Sequence, residues 1–213
     1  MSAHSGARPR WQWWAIGVGA VAFGFFLGWA LLQLVQQRPF GPPNFHGTVI
    51  QSDTPTHNFT LTDQTGARVS LTDFRGKVVL LYFGYTYCPD VCPATLRDLA
   101  RVKQALGSAG GDLQVVMVSL DPARDTPAHL AEYLAYFDPS FVGLTGSENE
   151  IAAAATPLGI FYEKHAGTVA TGYLIDHTAS VLALDRGGRV RLVYPFNTPP
   201  AAIAADMRYL LRD

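Results

Sequence analysis

The feature that most constrains the fold is an apolar run, residues 78–85, followed at once by a cysteine pair and a helical pattern. The run reads VVLLYFGY, and its β-branched and aromatic content and its length fit a strand buried on both faces. CPDVCP follows at residues 88–93. Apolar side chains then recur at helical spacing at Leu96, Leu99, Val102 and Leu106. A doubly buried strand leading into a helix is typical of an α/β domain.

The rest of the chain alternates strand and helix patterns, which supports the same fold class. Further strands are predicted at residues 48–51, 59–62, 69–71, 113–120, 141–144, 161–164, 172–175, 180–184 and 189–194. Helices are predicted at residues 93–106, 127–137, 148–158 and 200–211. The turn Arg186-Gly187-Gly188 joins the last two strands as a hairpin. These patterns predict one α/β domain with a mixed sheet.

An uncharged segment precedes this domain. Residues 14–35 form a run of 22 residues without a charge, long enough to cross a hydrocarbon core of about 30 Å as a helix. Trp11, Trp13 and Trp14 stand at its start, where indole rings favour the membrane interface. We predict a transmembrane anchor rather than a cleaved signal peptide, because a signal's apolar stretch is usually only about 7–15 residues.

The charges around this run predict its orientation. Arg8 and Arg10 lie before it without an acidic neighbour, so residues 1–13 are predicted to be a cytoplasmic tail. Residues 36–46, which combine Pro, Gly and polar residues, are predicted to be a linker to a domain at residues 47–213. This arrangement predicts a single-pass protein of a bacterial-type inner membrane, with its domain in the periplasm.

The overall charge argues against nucleic-acid binding. The sequence has 16 basic and 17 acidic residues, and the exported part keeps only 14 of the basic ones. It contains no basic cluster and no stripe of alternating aromatic and basic residues. We therefore expect no nucleic-acid partner.

The two cysteines, Cys88 and Cys92, are both predicted to be exported, where thiols tend to oxidise. A disulfide across so short a loop contributes roughly 2 kcal/mol by the chain-entropy formula, which makes a purely structural role unattractive. Thioredoxin-type redox motifs keep two residues between their cysteines, whereas this chain has three. The residues alone leave a metal site and a redox-active pair both open.

The cysteines also precede a predicted helix. With Pro93 as its first residue, Cys92 would cap the helix and face its unpaired N–H groups, an arrangement that lowers the pKa of a thiol. Asp90 opposes this effect, because a nearby carboxylate disfavours a second negative charge.

The six histidines differ in their sequence context. Four are assigned to the tail, the linker or the surface, namely His4, His46, His57 and His129. His165 is predicted to be solvated, where an exposed imidazole could assist metal capture. His177 lies between two apolar strand patterns, far beyond Cys92 in the chain, and by itself could serve as a structural residue or as a metal ligand.

Taken together, the motifs resemble the Sco/SenC family. The matching segments are VVLLYFGYTY with CPDVCP, then SLDPARDTP at residues 119–127, then IDHT ending at Thr178, and the resemblance spans about residues 45–213. Members of that family are membrane-anchored copper proteins that help to assemble the dinuclear copper centre of cytochrome c oxidase. The resemblance implies a thioredoxin-like fold with an extra N-terminal β-hairpin.

The resemblance also implies a site and a partner. One copper ion, as Cu(I) or Cu(II), would be bound by Cys88, Cys92 and His177, and the partner would be the copper-binding subunit of the oxidase. Asp176 would orient the loop or hydrogen-bond the imidazole, although it could equally cap a turn. Redoxins of similar layout carry a proline near the position of His177, and the sequence has none between residues 173 and 184.

Three other functions use the same residues. The main alternative is a thiol–disulfide oxidoreductase that reduces the oxidase subunit's copper-site cysteines, for which His177 would be dispensable. A redox or copper sensor is a second alternative. A peroxidase is disfavoured, because Thr86 stands two residues before Cys88 rather than the usual three.

Overall fold

The computed structural model describes residues 11–36, 44–168 and 172–212 of the chain. The chain divides into two compact units, Met1–Asn44 and Phe45–Asp213. Residues 1–10 of the predicted cytoplasmic tail, His4 among them, and most of the predicted linker lie outside the described residues, whereas residues 11–13 of that tail belong to a helix.

The first unit contains helix α1, Trp11–Gln36, of 26 residues. Large apolar side chains of this helix, including Phe23, Phe25 and Phe26, are exposed. In the part of the chain that the structure describes, no helix meets the length and hydropathy expected of a membrane crossing. The segment predicted as an anchor is helical, as predicted, but the structure does not support it as a membrane span.

The second unit alternates strands and helices, close to the predicted order. Its strands are β1 (Thr48–Val49), β2 (Thr60–Asp63), β3 (Arg68–Ser70), β4 (Val78–Gly84), β5 (Leu113–Ser119), β6 (Val142–Thr145), β7 (Tyr162–Ala166), β8 (Tyr173–His177), β9 (Val181–Leu184) and β10 (Val190–Tyr194). Its helices are α2 (Val91–Leu106), α3 (Pro127–Ala135), α4 (Glu148–Ala155) and α5 (Pro200–Leu210).

Eight strands form one mixed sheet in the order β1-β10-β9-β4-β5-β6-β2-β3. β4 runs parallel to β5, and β5 runs parallel to β6, whereas β9 and β10 are antiparallel to their neighbours. The hairpin β2–β3 extends the sheet beyond β6. This is the predicted α/β plan, a thioredoxin-like fold with an additional hairpin near its N-terminus.

The centre of the sheet is the most deeply buried part of the unit. All seven residues of β4 and all seven of β5 are buried, and since side chains alternate along a strand, both faces must be covered. Helix α2 contributes Leu96, Leu99 and Val102 to the core and packs against α5. The apolar run at residues 78–85 therefore forms the buried strand that its composition predicts.

One part of the topology differs from the prediction. β7 and β8 do not join the main sheet; they pair antiparallel with each other, with Tyr162 opposite His177. β7 is mostly exposed and polar, with Glu163, Lys164 and His165 in its centre, so it has no apolar face to bury against the sheet. His177 is consequently the last residue of a separate hairpin rather than part of the main sheet.

The first residues of the second unit are hydrogen-bonded to a buried carboxylate. Asp206 of α5 is 3% exposed and accepts hydrogen bonds from the backbone N–H of His46 (2.9 Å) and of Gly47 (3.1 Å). The Tyr194 hydroxyl donates to it at 3.0 Å, and the His46 ring nitrogen Nδ1 lies 2.9 Å from it. Asp206 thus fastens the entering chain to the C-terminal helix, and His46, predicted as linker, is held by the domain.

We predict that Asp206→Asn lowers the free energy of unfolding by about 3 kcal/mol, because the amide replaces a charged acceptor and turns an N–H group toward donors. Urea denaturation measures this loss. Asp112→Asn is the matched control, since Asp112 is 65% exposed and pairs with Arg186 at the surface, where such pairs contribute about 1 kcal/mol or less. Equal losses in the two variants would contradict the role assigned to Asp206.

Candidate metal centre

Three side chains that could bind a metal ion lie close together at the carboxyl end of β4. Cys88 lies in the loop after that strand, Cys92 is the second residue of α2, and His177 ends β8. The sulfur Sγ of Cys92 lies 3.5 Å from Nε2 of His177. The backbone N–H of Cys92 donates to Sγ of Cys88 at 3.4 Å, and both cysteines are free thiols. The structure therefore brings together all three predicted ligands.

These donors do not form a closed coordination shell. Among residues 11–36, 44–168 and 172–212, no three His, Cys, Asp or Glu side chains are grouped closely enough to hold a metal ion as they stand. Binding one ion through Cys88, Cys92 and His177 therefore requires a side chain to move. Their chemistry nevertheless fits copper, because thiolates suit Cu(I) and imidazole is also a good ligand for copper.

The two thiols differ strongly in acidity. The pKa of Cys88 is lowered to about 5, chiefly by a hydrogen bond from the Cys92 thiol and further by the backbone N–H groups of Cys92 and Asp90. The pKa of Cys92 is raised, first because its proton is shared with Cys88 and then because it is buried. Cys88 is therefore the thiolate at neutral pH.

The prediction that the start of the helix acidifies Cys92 is wrong. Helix α2 begins at Val91, so the Cys92 sulfur lies inside the first turn and is buried against the core. The N–H group of Cys92 points instead at the sulfur of Cys88, which precedes the helix. The N-terminal N–H groups thus stabilise the negative charge on Cys88.

His177 is oriented by the backbone. Its Nδ1 lies 3.2 Å from the Thr178 carbonyl oxygen, which can only accept, so Nδ1 carries the proton and the lone pair of Nε2 faces Cys92. Burial lowers the pKa of His177 and keeps the ring neutral, the form that binds metals. The rings of Tyr82 and Tyr85 pack edge-on against it, each with its centroid 6.1 Å away.

Asp176 and His165 lie elsewhere on the hairpin. The Asp176 side chain is 83% exposed, and its carboxylate lies 3.3 Å from Nε2 of His165 on the neighbouring strand. Because successive residues of a strand point to opposite faces, Asp176 faces away from the side on which His177 meets Cys92. The carbonyl of Thr178, and not Asp176, provides the hydrogen bond to the imidazole.

A buried carboxylate holds the cysteine loop. Asp125 is fully buried and accepts hydrogen bonds from the backbone N–H of Thr86 (3.0 Å), the Thr86 hydroxyl (2.5 Å) and the Ser119 hydroxyl (2.6 Å). Nε2 of His129, predicted as a surface residue, lies 2.9 Å from the same Thr86 hydroxyl. These contacts fix the backbone two residues before Cys88.

A second set of contacts joins the cysteine loop to the histidine hairpin. Asp121 accepts from the Tyr173 hydroxyl and from Nε of Arg124, both at 2.5 Å. The Arg124 guanidinium lies 3.7 Å from the ring centroid of Tyr173 and 4.5 Å from that of Tyr87. Tyr87 precedes Cys88 and Tyr173 begins β8, so Arg124 bridges the two segments that carry the ligands.

Sequence reasoning did not assign these roles. The sequence of residues 119–127 shows only a family motif, because the partners of these side chains are far away in the chain. One sequence feature could have indicated these roles: two aspartates and an arginine come soon after the buried strand β5. That strand runs parallel to β4, which leads to the cysteines.

Fold and site together define a thioredoxin-like protein whose cysteine pair is completed by a histidine from a separate hairpin. The SCO1/SenC family model matches residues 48–212, and the chain belongs to this family, as its motifs predicted. A SCO2-like protein of Rickettsia prowazekii, RP587, is 34% identical over 177 residues, which cover 82% of this chain and 82% of that protein.

Solved structures agree with the fold. ScoI of Bradyrhizobium japonicum, determined with copper bound, is 38% identical with a TM-score of 0.68, covering 74% of this chain and 99% of that one. BsSco, described as a member of the Sco family of cytochrome c oxidase assembly proteins with a disulfide switch, has a TM-score of 0.61. It is 23% identical, covers 78% of this chain and 98% of its own, and supports the fold alone.

We predict that iodoacetamide labels Cys88 far faster than Cys92 at neutral pH, because only Cys88 is a thiolate there. The labelling rate should fall as the pH drops through about 5, where Cys88 becomes protonated. Peptide mass spectrometry after brief labelling of the reduced chain measures both sites. Cys92→Ala should slow the labelling of Cys88 by removing the hydrogen bond from the Cys92 thiol, and preferential labelling of Cys92 would contradict the assignment.

Proposed function

We propose that this protein binds one copper ion through Cys88, Cys92 and His177 and delivers it to the dinuclear copper centre of cytochrome c oxidase. The observation that carries the proposal is the meeting of a thiolate, a second sulfur and a neutral imidazole at one point. Membership of the SCO1/SenC family and the copper-bound structure of its relative ScoI support it.

The protonation states indicate how copper enters. Cys88 is already a thiolate and His177 is already neutral at neutral pH, so both are ready to donate. Cys92 must lose its proton, since a thiolate and not a thiol is the metal ligand. Loading therefore releases a proton and becomes more favourable as the pH rises.

Differences in burial indicate how copper leaves. Cys92 is fully buried, whereas Cys88 is partly exposed in its loop. A thiolate of the acceptor can approach on the Cys88 side and replace one ligand at a time. The acceptor proposed here is the copper-binding subunit of the oxidase. Oxidation of the two cysteines to a disulfide removes both sulfur ligands, so loading requires the reduced protein.

A thiol–disulfide oxidoreductase is the second candidate, and one observation favours it. An acidic, partly exposed Cys88 beside a protonated, buried Cys92 is suited to attack on a partner's disulfide and subsequent resolution. This chemistry does not use His177. The position of His177 at 3.5 Å from Cys92 therefore favours copper binding over disulfide reduction as the principal function.

We predict that the reduced chain, titrated without oxygen, binds one equivalent of copper, and that its Cu(II) form shows thiolate-to-copper absorption. His177→Ala and Cys92→Ser should each weaken binding by at least tenfold, because each removes one ligand. Competition with a chromophoric copper chelator measures the affinity.

The matched control is His165→Ala, which removes a histidine of the same hairpin that pairs with Asp176 instead. It should leave the copper affinity unchanged. If copper binds weakly to the wild type while His177→Ala reduces a disulfide substrate at the full rate, the copper proposal fails and the oxidoreductase is the better description.

We also propose that α1 anchors the protein in a bacterial inner membrane, with residues 1–13 in the cytoplasm and the domain in the periplasm. The support is the run of 22 uncharged residues at 14–35, with Arg8 and Arg10 before it. An anchor would keep the domain near a membrane-bound oxidase and so raise its effective concentration there.

We predict that the full chain, produced in a bacterium, sediments with membranes and resists extraction by alkaline carbonate, whereas the unit Phe45–Asp213 stays in the supernatant. Protease added to spheroplasts should digest the domain of the full chain. Recovery of a shortened, soluble chain lacking α1 would show a cleaved leader instead and would refute the anchor.

A further inference from the structure

A buried hydroxyl beside the candidate centre makes no hydrogen bond. Tyr82 of β4 is 0% exposed, and its Oη has no partner among the described residues. A buried polar group without a partner bears the full cost of leaving water, so such groups are rare and call for an explanation. The tyrosine lies on the strand that leads directly to the cysteine loop.

The Tyr82 side chain lies against Cys92. Gly84 lies next to both side chains. A Cβ atom added at this glycine would lie 2.7 Å from Cε1 of Tyr82 and 3.0 Å from Sγ of Cys92. The ring of Tyr82 also meets the His177 ring edge-on. Tyr82 therefore borders two of the proposed ligands, and the absence of a side chain at residue 84 allows this approach.

Two polar groups face the Tyr82 hydroxyl, Cys92 and Thr95. The Thr95 hydroxyl already donates to the carbonyl oxygen of Val91 at 2.9 Å, within the first turns of α2. The Thr95 oxygen keeps lone pairs that can accept, so Thr95 and the Cys92 sulfur are both possible acceptors for the phenol, and a thiolate sulfur is the stronger of the two. In its protonated form that sulfur is only a weak acceptor.

We propose that the Tyr82 hydroxyl donates a hydrogen bond to the Cys92 sulfur when that sulfur is a metal-bound thiolate. The proposal rests on the copper site argued above. A thiolate is a much better acceptor than a thiol, and a charge-assisted hydrogen bond in a buried site is strong. Tyr82 is thus a positioning residue, whose hydroxyl has a strong acceptor when the metal is loaded.

This hydrogen bond would affect two properties of the loaded site. It would stabilise the metal-bound thiolate and so raise the affinity for copper. Hydrogen bonds to a metal-bound sulfur also withdraw electron density from it and tune the potential of the metal. Removing the bond would make the sulfur a stronger electron donor and shift the thiolate-to-Cu(II) absorption to lower energy.

Tyr82→Phe in the full chain tests the proposal, because it removes only the oxygen atom. We expect copper affinity to fall about tenfold, as for other partners of metal ligands, and the Cu(II) absorption band to move to lower energy. The stability of the metal-free variant toward urea should be unchanged or higher, since an unpartnered hydroxyl has been removed. A purely structural role would lower stability and affinity together.

Tyr136→Phe is the control for loss of a tyrosine hydroxyl. The Tyr136 side chain is 87% exposed at the C-terminal end of α3, and its substitution should leave the affinity and the band unchanged. A Tyr82→Phe variant with wild-type affinity and spectrum, or with reduced metal-free stability, would overturn the proposal.

Cadmium binding distinguishes failure of the Tyr82 hydrogen bond from failure of the proposed copper function. Cadmium is a soft ion that binds thiolates and absorbs through them, so it reports on the same sulfur ligands. If the wild type binds no copper, the proposed function fails, and the cadmium affinity of Tyr82→Phe still decides the role of the hydroxyl. A loss of about tenfold supports the hydrogen bond to Cys92, and an unchanged cadmium affinity refutes it.

Discussion

The parallel pairing of β4 with β5 fixes the position of the cysteine loop and of the carboxylates that hold it. Both strands are buried along their whole length, and the N–H of Leu120 donates to the carbonyl of Gly84 at 2.8 Å where they end. Parallel strands end at the same edge of a sheet, so the cysteine loop and the segment with Asp121 and Asp125 must emerge side by side. The buried carboxylate of Asp125 can then hold the loop by direct hydrogen bonds to Thr86.

The centre is asymmetric because its components come from surroundings of different polarity. Cys88 lies in a partly exposed loop and receives N–H groups at the start of α2, so it is acidic. Cys92 is buried in the first turn of that helix and retains its proton. His177 is brought in by a separate hairpin and kept neutral by burial. Cys88 is partly open to solvent whereas Cys92 is buried, and this difference is compatible with the proposed uptake and release of an ion on the Cys88 side.

Much of the fold could be predicted because it depends on local patterns. The doubly buried strand is a continuous apolar run, the helix after the cysteines has helical spacing, and the turn at Gly187 and Gly188 has typical turn residues. The structure places these elements close to the predicted bounds. The separate β7–β8 hairpin could not be predicted, because a strand pattern does not specify its partner. The prediction that the start of the helix lowers the pKa of Cys92 was wrong, because the effect depends on where the first turn of α2 begins.

The sequence by itself determined the α/β class and the resemblance to the SCO1/SenC family, because both follow from residue type and spacing, and that resemblance in turn implied the three candidate ligands. Only the tertiary structure decided that Asp121, Arg124 and Asp125 join the cysteine loop to the histidine hairpin, and that Tyr82 borders Cys92. These contacts link residues distant along the chain. Their energies depend on burial and distance, which no local pattern of residues encodes.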